Sequence, residues 1–180
     1  SWHGKGRNRY VITPRFAISC STEQLIAAGR LHEQYPGTYI QTHLSENKDE
    51  IDSTLSLCPD CQDYLEVYER ARLVTDRSIF GHCIHLSDSE CRRLVEAGSV
   101  VAHCPTSNLF LGSGLFDMQQ ANRVGMQTVL ATDIGAGTSF SMLRTMGEAY
   151  KVQQLGGYPM SVFESLYKCT LGAAKALHLD

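Results

Sequence analysis

The sequence predicts an α/β fold in which parallel strands are packed beneath outer helices. Two patterns support this prediction. Short runs of mostly apolar residues, as expected for strands buried on both faces, alternate along the chain with longer amphipathic stretches. Such alternation is typical of α/β folds with right-handed crossovers between parallel strands. No internal repeat or low-complexity tract divides the 180 residues, so we expect one domain spanning residues 1–180.

Five apolar runs are the predicted strands. They are 10–16 (YVITPRF), 38–43 (TYIQTH), 78–84 (SIFGHCI), 99–103 (SVVAH) and 126–132 (MQTVLAT). β-branched residues recur in these runs, and such residues favour strands.

Signals for helix ends lie between the predicted strands. Ser21, Ser87 and Ser161 each stand three residues before a Glu or Gln, which is the capping-box pattern of a helix start. Gly98 and Gly125 are placed to end the helices that precede the fourth and fifth strands. Each predicted strand can therefore be followed by at least one helix.

The length of the chain limits which α/β fold it can form. About five strand–helix units fit in 180 residues, whereas a complete eight-unit barrel needs about 250. We therefore predict a partial (β/α)8 barrel of the TIM type. A doubly wound sheet is the alternative, although the first predicted strand is not followed by a Gly-rich turn that would bind phosphate.

Charge and apolar content argue against two classes of partner. The formal net charge is −3 and no block of Lys or Arg is present, so we expect no nucleic-acid partner. No apolar run reaches the roughly 18 residues that would span a bilayer, so we expect no membrane partner.

The cysteines indicate a reducing compartment. Their number is seven, which is odd, and several lie within predicted strands and helices, so we expect free thiols in a cytoplasmic protein. Cys58 and Cys61 form a C-x-x-C pair. Because a structural zinc site normally needs a second pair nearby, we interpret these two as chance thiols in a surface loop.

Polar side chains recur where the predicted strands end. Functional groups of parallel α/β folds gather at the carboxyl ends of strands. The candidates at these ends are Arg15, Phe16, His43, Glu46, His82, His103 and Asp133. Imidazole and carboxylate groups are ligands that zinc or iron accepts, and a carboxylate beside the metal can carry a proton. The sequence therefore indicates a hydrolytic metal site at one edge of the sheet.

Five motifs at these strand ends resemble the ordered motifs of the amidohydrolase superfamily. They are 13–16 (TPRF), 42–47 (THLSEN), 81–83 (GHC), 102–108 (AHCPTSN) and 131–137 (ATDIGAG). The TPRF, HLSEN and TDIGAG versions are similar to those of the guanine deaminase family, and the likeness covers essentially the whole chain. It implies a barrel of the metal-dependent amidohydrolase type.

The resemblance also implies how the metal and the proton are handled. His43 and Asp133 would be ligands of one zinc ion, with iron as the alternative. Asp133 would also be the general base, and His82 would hydrogen-bond the attacking water or the substrate. Glu46 would pass a proton to the purine ring and then to the departing ammonia.

A purine contact set follows from the same resemblance. Arg15 would bind the guanine carbonyl oxygen, and Phe16 would pack on the purine plane. His43, Glu46 and Asp133 would border the same substrate. His103 receives no catalytic role.

The implied reaction is the hydrolysis of guanine to xanthine and ammonia, a step in purine catabolism. Another amidohydrolase substrate (an adenosine-type, cytosine or triazine ring) and a non-catalytic barrel fragment are the alternatives. Amidohydrolases of this kind take two further ligands from a His-x-His strand, which the 180 residues lack. We therefore expect that this strand and a flanking small β domain lie elsewhere in a longer, homodimeric protein, and that the segment alone is inactive.

Overall fold

A single parallel sheet organises the chain in the computed structural model, which describes residues 2–179. The strands are β1 (Val11–Ile12), β2 (Tyr39–Leu44), β3 (Ser78–His82), β4 (Val100–His103) and β5 (Gln127–Leu130). Every neighbouring pair is parallel. The predicted α/β fold with parallel strands is therefore confirmed.

The order of the strands in the sheet is the order of the chain, β1-β2-β3-β4-β5. A doubly wound sheet would reverse its strand order at a switch point, whereas a barrel adds each strand beside the previous one. Across residues 2–179 the sheet stays open, with β1 and β5 at its two edges. The topology is that of a partial barrel, as the sequence predicted.

Helices cover one face of this sheet. Their bounds are α1 (Thr22–Gln34), α2 (Lys48–Leu57), α3 (Tyr64–Arg70), α4 (Asp88–Glu96), α5 (Pro105–Leu111), α6 (Met118–Val124), α7 (Met142–Leu155), α8 (Val162–Cys169) and α9 (Leu171–Ala176). A single 3-10 turn, Ala17–Ser19, precedes α1. No helix within the described part of the chain is both long and apolar enough to cross a membrane.

The three predicted capping boxes form to different extents. At Ser87 both halves are present, since the hydroxyl accepts from the Glu90 amide and the Glu90 carboxylate accepts from the Ser87 amide. At Ser21 and Ser161 the structure has only the hydroxyl half. The Glu164 carboxylate instead accepts a hydrogen bond from the Tyr158 hydroxyl at 2.8 Å, so this carboxylate joins a tertiary contact rather than the cap.

Three predicted strands extend past their observed carboxyl ends, and the fifth, expected to run to residue 132, ends at Leu130. The first was expected to run to residue 16 but ends at Ile12, because Pro14 has no amide hydrogen to give to a ladder. The third was expected to run to residue 84 but ends at His82. There the backbone leaves the extended region, with φ of 70° at His82 and 51° at Cys83.

Alternating residues separate the two faces of the sheet. The helix-covered face buries large side chains, among them Ile40 of β2, Phe80 of β3 and Val101 of β4, in the main core. The opposite face carries a second, smaller cluster of mostly small side chains, which contains Val100, Ala102, Cys104, Val129 and Ala176. Mostly small side chains therefore line the face that would be the interior of a closed barrel.

His103 lies in the helix-covered core instead of facing the barrel interior. Its ring is fully buried and stacks on Phe116, with ring centroids 4.8 Å apart. Neither ring nitrogen has a hydrogen-bond partner among the described residues. Burial chiefly, with help from His82 and Lys168, lowers the pKa of His103 from 6.5 to about 3. The side chain is therefore a neutral packing residue, which agrees with its having no predicted catalytic role.

This burial makes the stability of the fold depend on pH. In the unfolded chain His103 takes up a proton near pH 6.5, whereas the folded chain resists protonation until about pH 3. We expect His103 to lower the free energy of unfolding as the pH falls through this window, by up to about 1.4 kcal/mol per pH unit. Urea unfolding of the parent chain and of His103→Leu at several pH values measures the difference in slope.

Carboxylates also titrate in this range, so the comparison needs a control imidazole. His178→Leu removes a histidine at the surface and is the reference for the loss of an exposed imidazole. Equal slopes for His103→Leu and the parent would contradict the assignment.

Candidate functional site

His82 is the hub of the predicted site. It ends β3, and its Nε2 atom lies 3.7 Å from Glu46 Oε2 and 3.8 Å from Asp133 Oδ2. The His43 ring stacks on the His82 ring, with centroids 5.0 Å apart and planes 18° apart. Four of the predicted site residues, drawn from the ends of three strands, therefore meet at one edge of the sheet.

Hydrogen bonds fix the orientation of both imidazole rings. His43 Nδ1 lies 2.6 Å from the Arg15 carbonyl oxygen, which can only accept, so Nδ1 carries the proton and Nε2 keeps its lone pair. His82 Nδ1 lies 2.8 Å from Asn108 Oδ1, which turns its Nε2 toward the two carboxylates. Ligating histidines commonly donate the other ring N–H to a carbonyl in this way.

Two groups of side chains have their donor atoms close enough together to hold a metal ion. One contains His43, Glu46 and His82, and the other contains His82, Cys104 and Asp133; within each group the donor atoms lie within 4.8 Å of one another. His82 belongs to both groups, while His43 and Asp133 fall in different ones. Imidazole nitrogen and carboxylate oxygen fit zinc or iron, so the donor set suits the ion that the sequence predicted.

Cys104 borders this site, although it is not among the predicted site residues. Burial chiefly, reinforced by the charge of Asp133, raises the pKa of the Cys104 thiol to about 12. Because only a thiolate is an effective ligand, the protonated side chain is a poor one. His43, His82 and the two carboxylates remain the stronger donors.

Glu46 is held by two residues that the sequence analysis missed. Its amide donates to Glu50 Oε2 at 2.9 Å, and its own Oε1 accepts from the Ser113 hydroxyl at 2.9 Å. Asn47 caps α2, the helix that carries Glu50. The N-x-x-E pattern at residues 47–50 was therefore a sequence signal for the start of this helix and for Glu50. No comparable pattern marks Ser113, which is 67 residues away in the sequence.

Arg15 contributes its backbone as well as its side chain. Its carbonyl oxygen accepts from the His43 amide at 3.1 Å and the Thr42 hydroxyl at 3.2 Å, in addition to His43 Nδ1. Its guanidinium lies over the Phe16 ring, 5.0 Å from the centroid, and that ring lies 5.4 Å from the His43 ring. The predicted purine-contact residues, Arg15 and Phe16, therefore lie beside the predicted metal ligand His43.

A cavity of about 220 Å³ opens at this edge of the sheet. The predicted site residues that line it are Arg15, His43, His82 and Asp133. Gly81 and Ala102, on neighbouring strands, line it as well and contribute little side-chain volume. Space for a small molecule thus adjoins the imidazole and carboxylate groups.

Backbone strain concentrates at the strand ends that form the site. Ser45, His82, Cys83 and Asp133 all have positive φ, between 47° and 70°. Each such non-glycine residue costs about 1–3 kcal/mol and persists only where the surrounding structure enforces it. Strain of this kind clusters at functional sites, which supports a functional rather than a structural role for these turns.

The turn after β5 requires a glycine to place Asp133. The Gly137 amide donates to the Asp133 carbonyl at 2.6 Å. A Cβ atom at position 137 would lie 1.7 Å from the Thr132 carbonyl oxygen, so no side chain fits there. The last glycine of the TDIGAG motif, Gly137, is therefore required for steric reasons.

Tyr68 supports the end of β2 from the helix-covered side. Its hydroxyl donates to the His43 carbonyl at 2.8 Å, accepts from the Ala17 amide at 3.0 Å, and lies 3.0 Å from the Thr42 hydroxyl. The neighbouring Tyr64 donates to Glu50 at 2.8 Å. Both tyrosines are therefore buried hydrogen-bonding residues as well as packing residues.

We expect Tyr68→Phe to destabilise the chain by about 1–3 kcal/mol, because it leaves buried backbone groups without their partner. Urea unfolding at neutral pH measures the change. Tyr35→Phe is the matched control, since Tyr35 is about half exposed, and it should shift the free energy of unfolding by less than about 0.5 kcal/mol. Equal effects of the two substitutions would contradict a structural role for the Tyr68 hydroxyl.

Sequence and structure comparisons relate this chain to known proteins. The profile of the amidohydrolase family matches residues 2–180. The guanine deaminase of Escherichia coli K12 is 52% identical over 99% of this chain. Its solved structure superposes with a TM-score of 0.97, and 99% of this chain covers 42% of that one.

Two further solved structures that match this chain contain a bound ligand. A guanine deaminase from C. acetobutylicum with bound guanine is 34% identical, with a TM-score of 0.87 over 93% of this chain and 42% of that one. An adenosine deaminase from Xanthomonas campestris with bound zinc is 24% identical, with a TM-score of 0.90 over 99% of this chain and 41% of that one, and shares the fold. The chain spans about two fifths of the length of the relatives it matches. On the match over residues 2–180, the chain belongs to the amidohydrolase family.

Proposed function

We propose that the protein containing this chain hydrolyses guanine to xanthine and ammonia. The observation that carries the proposal is the placement of His82 between the Glu46 and Asp133 carboxylates, beside the cavity that Arg15 lines. The 52% identity to the E. coli guanine deaminase over 99% of the chain supports the same reaction. Identity to the zinc-bound adenosine deaminase is only 24%, so that likeness favours the fold and not its substrate.

A zinc ion would be held by His43 and Asp133, with further ligands from a His-x-His strand elsewhere in the whole protein. An iron ion would suit the same donors. When bound, the metal supplies a Lewis acid that makes water nucleophilic near neutral pH. The free Nε2 lone pair of His43, enforced by the bond from Nδ1 to the Arg15 carbonyl, is the form that such an ion requires.

The carboxylates of this chain would move the protons. Water adds to the amidine carbon of guanine, so that a C–O bond forms, and the C–N bond to the exocyclic amine then breaks. Asp133 would take one proton from the water while Glu46 gives one to the ring nitrogen. The proton of the new hydroxyl would then pass through Glu46 to the amine, which leaves as ammonia, and Asp133 would return its proton to Glu46 through solvent. Both carboxylates lie within 4 Å of His82 Nε2, which supports hydrogen bonding of the water or the substrate by that residue.

Arg15 and Phe16 would select the ring. The forked guanidinium offers several N–H donors, which suit the guanine carbonyl, whereas an aminopurine at that position would need an acceptor. The Phe16 ring, which lies near both the guanidinium and the His43 ring, would pack on the purine plane. A cytoplasmic location, predicted from the cysteines, and a homodimer, implied by the resemblance, stay predictions.

We expect the whole protein, assayed at steady state, to deaminate guanine in preference to adenine and cytosine. Arg15→Lys should lower kcat/KM for guanine by roughly ten- to a hundredfold, because the ammonium cannot reproduce the fork. Arg72→Lys is the matched control, since Arg72 pairs with Glu33 at the surface, and it should leave kcat/KM unchanged. A parent enzyme that prefers adenine or cytosine would overturn the substrate assignment.

We also expect the 180-residue chain alone to bind zinc weakly. His43 and Asp133 fall in different donor groups, and two ligands from one chain rarely hold zinc firmly. Calorimetric titration of the chain with zinc measures the uptake. Tight binding of one ion per chain would contradict the view that further ligands are needed.

A further inference from the structure

One segment, α5 together with the turn that follows it, contacts two side chains of the candidate site, His82 and Glu46. Asn108, within α5, accepts from His82 Nδ1 at 2.8 Å. Ser113, two residues after the end of α5, donates its hydroxyl hydrogen to Glu46 Oε1 at 2.9 Å. The side chains that meet at 3.7 Å, Glu46 and His82, are thus each tied to the same short segment of chain.

Backbone contacts hold Ser113 in place. Gly112 ends α5 in the left-handed conformation, with φ of 69°, and turns the next residue back toward the site. The Ser113 amide then donates to the Asn108 carbonyl at 2.9 Å, and its own carbonyl accepts from His85 Nε2 at 3.0 Å. The side chain of Ser113 is buried, so its hydroxyl has a fixed direction.

The hydroxyl has a specific consequence for Glu46. A glutamate side chain has several rotamers of similar energy, and ordering it costs free energy. The bond from Ser113 engages Oε1 and leaves Oε2 as the atom that faces His82. A hydroxyl that donates to a carboxylate also forms a charge-assisted bond, which is stronger than a neutral one.

We infer that Ser113 is a positioning residue for Glu46: it selects the rotamer in which one carboxylate oxygen faces the reacting atoms. Its effect on catalysis rests on the proposed function, in which Glu46 moves protons. Misplacement of a catalytic group by about 1 Å can cost as much as a hundredfold in rate.

The test compares three variants of the whole, metal-loaded protein with guanine as substrate. Ser113→Ala should lower kcat about tenfold with little change in KM, because Glu46 would act on the reaction and not on guanine binding. Ser113→Thr retains the hydroxyl and should recover most of kcat. Ser107→Ala is the matched control, since Ser107 is a buried serine of the same helix whose hydroxyl has no partner among the described residues, and it should leave kcat unchanged.

Crystal structures of the parent and Ser113→Ala proteins give a readout that does not depend on activity. We expect Glu46 to keep its rotamer in the parent and to leave the 3.7 Å contact with His82 in Ser113→Ala. An unmoved Glu46, or an unchanged kcat in Ser113→Ala, would overturn the inference. So would a Ser113→Thr variant as impaired as Ser113→Ala. If the parent does not act on guanine, the proposed function fails, and the position of Glu46 in the two crystals still decides the role of Ser113.

Discussion

The structure of the site depends on a single carbonyl oxygen, that of Arg15. It accepts from the His43 amide, the His43 ring and the Thr42 hydroxyl, and so continues the contact between the first two strands beyond the end of β1. One acceptor thereby sets the tautomer of His43 and fixes the backbone from which the Arg15 guanidinium projects. A change in its geometry would disturb the proposed metal ligand His43 and the proposed purine contact Arg15 together.

The sequence was sufficient for the architecture because the signals for it are local. The apolar runs predicted all five strands, and the polar residues at their ends predicted the side chains that lie around His82. Strand ends were wrong where Pro14 or a left-handed backbone stopped the ladder, which apolar content does not encode. Ser113 could not be found from sequence, because its contact with Glu46 links distant residues through a helix that begins without a side-chain cap.

The site also has an energetic cost within the fold. Four non-glycine residues with positive φ lie at its strand ends, and each works against the stability that the main core provides. On the other side of β2, the Tyr68 hydroxyl binds the His43 carbonyl from within that core. Packing on the helix-covered side of β2 therefore restrains the backbone conformations of the candidate site on its other side.

Gly137 shows how little space the turn after β5 leaves for a side chain. Its neighbours leave no room for even one carbon atom beyond the backbone, since that atom would overlap the Thr132 carbonyl. The backbone at Asp133 is therefore restrained by a residue without a side chain four positions further along. A side chain at position 137 would force this loop to rearrange, so a residue with no chemistry of its own restrains the residue that we propose as a metal ligand.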